Sequence, residues 1–137
     1  MTRSRVASRP AIHMIDDEAE ALTNLAMSVE ARLPQVCQLL LDEIGRAKLH
    51  SRNRIAPDVV TMHARVAFLD EASGSSRTVQ LVYPREADIA EDRVSILTLV
   101  GAGLIGMRAG QSIMWPDRGG RERLLTIADV TRSEEVR

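Results

Sequence analysis

The segment LTLVGAGLIGM, residues 97–107, is dominated by apolar and small residues and contains a G-x-G-x-x-G spacing at residues 101–106. This spacing can mark the turn at which a helix N-terminus meets the phosphates of a dinucleotide. That fold needs a further parallel strand behind the helix, but only 31 residues follow the motif. They contain a predicted strand at 111–115, a Pro/Gly turn at 116–120 and a predicted strand at 121–130. The segment therefore predicts a buried helix packed closely on an antiparallel sheet, and not a dinucleotide site.

The chain before this helix alternates apolar and polar residues, as half-buried strands do. A first strand is predicted over 60–68, and a loop at 71–76 leads to a second strand over 78–83. A further short strand is expected at 94–96. Four or five antiparallel strands packed on one helix predict a small α+β domain over residues 58–132. The alternating apolar residues of the first strand are Val60, Met62, Ala64, Val66 and Phe68.

Residues 15–50 are richer in Ala, Leu and Glu, and Gly45 is their only glycine. Asp17 and Glu20 have the spacing of a capping box at a helix start, and Pro34 suits the first position of a second helix. Because the connection is very short, the two helices must run antiparallel. The pattern predicts a short coiled-coil-like hairpin with arms of roughly 15 residues. Its apolar positions are Leu22, Leu25, Val29 and Leu33 in the first helix and Cys37, Leu40, Leu41, Ile44 and Ala47 in the second.

These patterns divide the chain into four parts. Residues 1–14 are predicted to be a flexible tail, 15–50 the hairpin, 51–57 a linker and 58–132 the sheet-containing domain. The predicted fold class is α+β, with an N-terminal antiparallel two-helix hairpin followed by an antiparallel sheet that carries one packed helix.

Composition argues against several classes of function. The net charge of −1 and the aromatic content of 2% argue against a dedicated nucleic-acid binder and an aromatic-lined pocket. The single cysteine, Cys37, excludes an internal disulfide. His13, His50 and His63 have spacings that do not suit a shared metal ion, so we expect no metal and no cofactor. Without an export signal or a bilayer-length apolar segment, a cytoplasmic protein is the default. No set of nucleophile, acid and base stands out, and we expect no enzymatic activity.

Several short motifs follow one another in a characteristic order. They are Arg9-Pro-Ala-Ile12, Glu43-Ile-Gly-Arg-Ala47, Pro57-Asp-Val-Val-Thr-Met62, Leu81-Val-Tyr-Pro84, Ala87-Asp88, Val94-Ser95, Val100-Gly-Ala102 and Trp115-Pro116. In this order they resemble the regulator of nucleoside diphosphate kinase (Rnk) family, which is related to the Gre transcript-cleavage factors. The resemblance covers about residues 9 to 130 and implies an FKBP-like GreA/GreB C-terminal-type domain over 58–132. It also implies binding to RNA polymerase at the secondary channel and an effect on nucleoside diphosphate kinase levels.

The tip of the hairpin differs from that of a Gre factor. Gre factors carry an acidic pair there, which helps to hold the magnesium ion that activates water for transcript cleavage. The tip here, residues 28–35, has one carboxylate, Glu30, with Arg32 close by, and the hairpin is much shorter than a Gre finger. The resemblance therefore implies a protein that competes with Gre factors without stimulating cleavage.

Two groups of residues are the expected partner-binding sites. Glu30, Arg32 and Leu33 form the first group, at the tip. Thr98 and Leu99 form the second, because they occupy the positions of a Ser-Pro pair that contributes to polymerase docking in Gre-type domains. The loss of that proline removes a fixed φ.

Two other functions stay open. One is an interaction domain for another partner, such as nucleoside diphosphate kinase itself. The other is peptidyl-prolyl isomerisation, which uses a pocket walled by several aromatic rings, and Phe68, Tyr83 and Trp115 are too few to build it. We expect indirect association with DNA through the polymerase, no sequence-specific nucleic-acid contact and no membrane contact. The apolar faces of the hairpin allow a monomer or a weak homodimer.

Overall fold

A computed structural model describes residues 9–132 as a mixed α+β fold, which confirms the predicted fold class. Two helices come first, a five-stranded sheet follows, and a short third helix lies between the strands in sequence. None of the helices in this part of the chain is long and apolar enough to cross a membrane. The elements are β1 (His13–Ile15), α1 (Asp16–Ser28), α2 (Pro34–Arg46), β2 (Lys48–His50), β3 (Arg65–Asp70), β4 (Ser75–Val82), β5 (Arg93–Ser95), α3 (Leu99–Leu104), β6 (Ser112–Pro116) and β7 (Glu122–Thr131), with 3-10 turns at Pro84–Glu86 and Ile89–Glu91.

The main sheet has the strand order β5–β4–β3–β7–β6. Its neighbouring strands run antiparallel except for β4 and β5, which pair in parallel through Gln80–Arg93, Leu81–Val94 and Val82–Ser95. The prediction of a wholly antiparallel sheet is wrong at this edge, because the connection with two 3-10 turns carries the chain back along β4. Parallel pairing brings the carboxyl ends of both strands to the same end of the sheet.

The strand predicted over 60–68 begins only at Arg65. The backbone before it leaves the sheet at His63, which has a φ of 71°. Val60 instead pairs with the chain that follows α3, since its N–H donates to Met107 and its carbonyl accepts from Gly106. The alternating apolar residues are nevertheless all buried, because this turning segment lies against the same core.

The glycine-rich segment forms α3, which is shorter than the predicted 97–107. Thr98 caps its start, and Gly106, at a φ of 83°, follows its end. The small residues are required by packing: a Cβ on Gly103 would lie 2.9 Å from ring atoms of Trp115, and a Cβ on Gly101 2.3 Å from the Ser95 carbonyl oxygen. The predicted close packing of a helix on the sheet is confirmed.

The hairpin helices α1 and α2 have 13 residues each. The second begins at Pro34 as predicted. The predicted capping box of Asp17 and Glu20 does not form, because β1 runs directly into α1 and places Ile15 at the cap position. Ile15 is fully buried and has no polar side-chain atom to offer.

The hairpin packs on the sheet-containing part of the chain. Ala19 and Leu22 of α1 and Leu40 of α2 belong to the same buried cluster as Phe68 and Trp115. Burial of these side chains on both sides of the contact removes apolar surface from water, which favours attachment. The coiled-coil and FKBP-like descriptions and the oligomeric state stay predictions, and so do the boundaries of the four parts apart from the two segments described next.

Two segments predicted to be irregular are ordered parts of the fold. Residues 9–14 were predicted as tail, but Ile12 is 1% exposed and β1 pairs in parallel with β2. The segment is held because β2 offers backbone partners that the sequence pattern does not reveal. The rest of the predicted tail, residues 1–8, lies outside the described residues. In the predicted linker, Ile55 is buried against Ile15 and Val59.

Two buried carboxylates attach the hairpin through polar contacts. Glu43 of α2 is 1% exposed and pairs with Arg46 at 2.7 Å and Arg9 at 3.3 Å. Glu18 of α1 is 8% exposed and accepts a hydrogen bond from the Met62 N–H at 3.1 Å. Because buried charges need such partners, these contacts define how α1 and α2 lie on the core.

We expect Gly103→Ala to lower the free energy of unfolding by about 1–3 kcal/mol, because the new methyl group overlaps the buried Trp115 ring. Gly45→Ala is the matched control: it lies in α2 with open space around it, and alanine there should stabilise the protein by up to about 1 kcal/mol. Urea unfolding measures the free energy of unfolding of both variants. Equal effects of the two substitutions would contradict the packing argument.

A second prediction concerns Glu18. Burial raises its pKa above the ordinary 4.5, so the unfolded chain loses this proton at a lower pH than the folded chain does. The free energy of unfolding contributed by this group therefore falls as pH rises from 4.5 through the folded-state pKa. Glu18→Gln keeps an oxygen for the Met62 N–H and cannot ionise. We expect the variant to become more stable relative to the unmodified protein as pH rises from about 4.5 to 7.

Urea unfolding at the two pH values measures this gain. The nearby Arg52 side chain is 59% exposed and lies 3.6 Å from Glu18. Because Arg52 is exposed to water, loss of this ion pair in Glu18→Gln lowers the free energy of unfolding only slightly. Glu20→Gln, on the exposed side of α1, is the matched control for the substitution itself. A Glu18→Gln curve parallel to that of the unmodified protein would show that burial of the charge has no cost.

Candidate partner-binding site

The Thr98–Leu99 loop is fixed by a short network of hydrogen bonds. Thr98 has an extended backbone, with φ −99° and ψ 163°, and its Oγ1 accepts from the Gly101 N–H at 3.0 Å. The same hydroxyl donates to the Ser95 carbonyl at 2.8 Å, and Ser95 Oγ accepts from the Leu97 N–H at 2.9 Å. Residues 95–101 therefore form one rigid turn into α3, with the Thr98 side chain as its helix cap.

Leu99 anchors this turn to the sheet through its backbone. Its carbonyl accepts a hydrogen bond from the Trp115 indole Nε1–H at 2.6 Å. The Leu99 side chain is half-buried and Thr98 is exposed. The loop therefore presents a partly accessible apolar side chain next to a hydroxyl, in a geometry that the core holds in place.

The hairpin tip is closed by backbone hydrogen bonds. The N–H groups of Arg32 and Leu33 both donate to the Val29 carbonyl, at 3.0 and 2.7 Å. Glu30 and Arg32 are exposed, and Leu33 is half-buried at the cap position of α2. Among the described residues Glu30 has no ion-pair partner, so Arg32 is close to it in sequence without pairing with it.

The tip and the Thr98–Leu99 loop lie on different elements, and no hydrogen bond or ion pair among residues 9–132 connects them. The structure places both groups at least partly at the surface but does not bring them together into one site. Their role in partner binding stays a prediction.

Two of the three histidines lie next to each other, which their spacing in the sequence does not reveal. His13 Nδ1 and His50 Nε2 lie 2.9 Å apart, because parallel pairing sets His13 opposite Lys48 and Ile15 opposite His50, which leaves the two histidines as diagonal neighbours across β1 and β2. Burial, and then the nearby His50, lower the pKa of His13. In the part of the chain that the structure describes, no group of three or more His, Cys, Asp or Glu side chains could hold a metal ion.

A cluster around His63 was not predicted from the sequence. Its Nε2–H donates to Glu86 Oε1 at 2.9 Å, and the same oxygen accepts from the Tyr83 N–H at 3.2 Å. The hydrogen bond from His63 lowers the pKa of Glu86. A groove of about 580 Å³ is lined by these three residues with Leu25, Pro84 and Arg85. The motif Leu81-Val-Tyr-Pro84 is the one signal that pointed to this region.

Comparison with known proteins identifies relatives in transcription. A sequence profile described as "Transcription elongation factor, GreA/GreB, C-term" matches residues 55–132. The chain is 35% identical over 130 residues to the regulator of nucleoside diphosphate kinase of Escherichia coli (strain K12), across 94% of this chain and 95% of that protein. It is 34% identical to the transcription elongation factor GreA of Rhodospirillum rubrum across 67% of this chain, which spans 56% of that GreA.

Structural similarity agrees with these relationships. The prokaryotic transcription elongation factor GreA/GreB from Nitrosomonas europaea matches with a TM-score of 0.70 and 34% identity, over 90% of this chain and 100% of that chain. The similarity includes the hairpin as well as the sheet, since 90% of the chain cannot be covered by either part alone. The chain therefore belongs to the GreA/GreB transcription elongation factor family, and within it to the group of the regulator of nucleoside diphosphate kinase.

Proposed function

We propose that this protein regulates transcription by binding RNA polymerase at the secondary channel, where it competes with Gre factors and does not stimulate transcript cleavage. One observation carries the proposal: a region matched by the GreA/GreB C-terminal family is joined to a short hairpin whose tip holds a single carboxylate, Glu30. The first part supports docking on the polymerase, and the second argues against cleavage.

Docking is assigned to the Thr98–Leu99 loop. The hydroxyl of Thr98 caps α3 as a serine would, so the turn keeps its shape without the Ser-Pro pair. The Trp115 hydrogen bond to the Leu99 carbonyl holds the loop against β6. A rigid, half-apolar loop of this kind loses little conformational freedom on binding, which favours affinity.

The geometry of the tip supports the proposed lack of cleavage activity. Each helical arm of 13 residues is about 20 Å long. Asp42, the next exposed acid on α2, lies two turns from Pro34 and accepts a hydrogen bond from Gln38 at 2.8 Å. Glu30 therefore has no second carboxylate beside it at the tip, and a single carboxylate is a poor ligand for a magnesium ion held mainly by other groups.

The E. coli relative is named for its effect on nucleoside diphosphate kinase, and its similarity extends over 94% of this chain. This observation favours a second candidate function, direct contact with that kinase. Altered transcription and direct contact both lead to changed kinase levels or activity, so they must be separated by binding experiments.

We expect labelled protein to bind core RNA polymerase and to be displaced by a GreA factor in a fluorescence-anisotropy competition. Backtracked elongation complexes incubated with this protein should show no faster transcript cleavage than untreated complexes, because the tip lacks an acidic pair. GreA alone is the positive control for cleavage. If micromolar polymerase does not bind while nucleoside diphosphate kinase does, the proposal fails and the second function takes its place.

Leu99→Pro tests the docking loop directly. Proline suits the first helical position, where the Leu99 N–H has no partner among residues 9–132, and Thr98 already has the extended backbone favoured before proline. We expect the free energy of unfolding to change by less than about 1 kcal/mol. Affinity for core polymerase should rise several-fold, because the substitution restores the family's Ser-Pro-like pair. Unchanged binding by a fully folded variant would remove Leu99 from the docking site, and weaker binding would show that the loop needs the leucine side chain and not the proline.

A further inference from the structure

The groove beside His63 is built by both halves of the molecule. Leu25 of α1 forms one wall, and Tyr83 and Pro84, which follow β4, form the other. The groove therefore exists only while the hairpin is packed on the sheet. With a volume of about 580 Å³ it is large enough for one or two side chains of a partner.

The groove lies at the same end of the sheet as the proposed docking loop. Because β4 and β5 are parallel, Tyr83 and Ile96 both follow the carboxyl ends of neighbouring strands. The Ile96 N–H donates to the Val82 carbonyl at 2.9 Å and joins the two connections directly. The groove and the Thr98–Leu99 loop are thus consecutive parts of one edge of the molecule.

The backbone at His63 is held in a conformation that a histidine rarely adopts. Its φ of 71° is in the left-handed region. Its N–H donates to the Leu81 carbonyl at 2.6 Å and its carbonyl accepts from Gln80 Nε2 at 3.0 Å, so the fold imposes this geometry from both sides. Strain of this kind is retained where it orients a side chain for use, and here it directs the ring to Glu86.

Some of the charged side chains around the groove already have partners within the protein, and others do not. Glu86 is occupied by the His63 ring and the Tyr83 N–H, and Glu18 by the Met62 N–H and Arg52. Arg85 at the rim is exposed and has no ion-pair partner among residues 9–132. The groove therefore offers apolar walls and one available cation, and its carboxylates already have partners.

We propose that this groove is a second docking point for RNA polymerase, and that it receives a polymerase segment carrying an apolar side chain next to a carboxylate. The apolar side chain would lie between Leu25, Tyr83 and Pro84, and the carboxylate would pair with the Arg85 guanidinium. This inference rests on the proposed function, since it extends the same docking edge. An acidic segment is required because an unpaired guanidinium at the rim repels a basic one.

Charge reversal at the rim provides the test. Arg85→Glu in the full-length protein should weaken binding to core polymerase about tenfold at low salt, with the difference shrinking as salt is added. Arg77→Glu is the matched control, because Arg77 is also exposed and without an ion pair among the described residues but lies near the opposite end of β4. It should change affinity less than twofold. Circular dichroism checks that both variants are folded.

A photoactivatable residue at position 85 identifies the occupant. In the complex with core polymerase it should cross-link to a polymerase peptide in which an Asp or Glu adjoins an apolar residue, and the same residue at position 77 should not. A cross-link to nucleic acid or to a basic peptide would overturn the inference. Equal affinities of the two charge-reversal variants would also overturn it while leaving the proposed function intact. If the unmodified protein does not bind core polymerase, the proposed function and this inference both fail.

Discussion

The seating of Trp115 on the glycine face of α3 is the contact on which the rest of the structure depends. The indole is 2% exposed and so close to Gly103 that a Cβ there would overlap the ring unless the ring shifted. Its N–H donates to the Leu99 carbonyl at 2.6 Å, so one side chain joins α3, β6 and the turn into the helix. The Arg9 guanidinium lies 4.9 Å from the ring centroid and ties the N-terminal segment to the same point. The protein has three aromatic residues, and one of them, Trp115, contacts several elements of the fold.

The hairpin depends on this arrangement through two buried acids. Glu43 reaches Arg9, and therefore links α2 to the segment that lies on Trp115. Glu18 links α1 to the backbone of Met62. These carboxylates are costly to bury unless their partners are in place, so they favour one orientation of the hairpin over others. That orientation lets Leu25 and Tyr83 line one groove, which lies at the proposed docking edge.

Much of the secondary structure could be predicted because it follows from local rules. Pro34 begins α2 as a proline at the first helical position should, and the glycines of α3 pack closely as small residues allow. The start of β3 could not be predicted, because the alternation over 60–68 reports burial and not sheet pairing. The predicted capping box of α1 was also wrong. A strand runs directly into the helix, so the residue at the cap position is Ile15. Thr98 and the tip residues were predicted from the sequence, and their role in partner binding stays a prediction. The His63–Glu86 pair was not predicted, because its members are 23 positions apart.

By itself the sequence determined the α+β class, the two-helix hairpin, the buried glycine-rich helix and the family resemblance, since each rests on periodicity, turn residues or the order of short motifs. Only the tertiary structure decided that residues 9–14 belong to the fold, that β5 pairs in parallel with β4, and that His63, Tyr83 and Leu25 surround one groove. The physical reason is common to all three. Each depends on contacts between residues far apart in the chain, whose free energy comes from burial and pairing that no local pattern encodes.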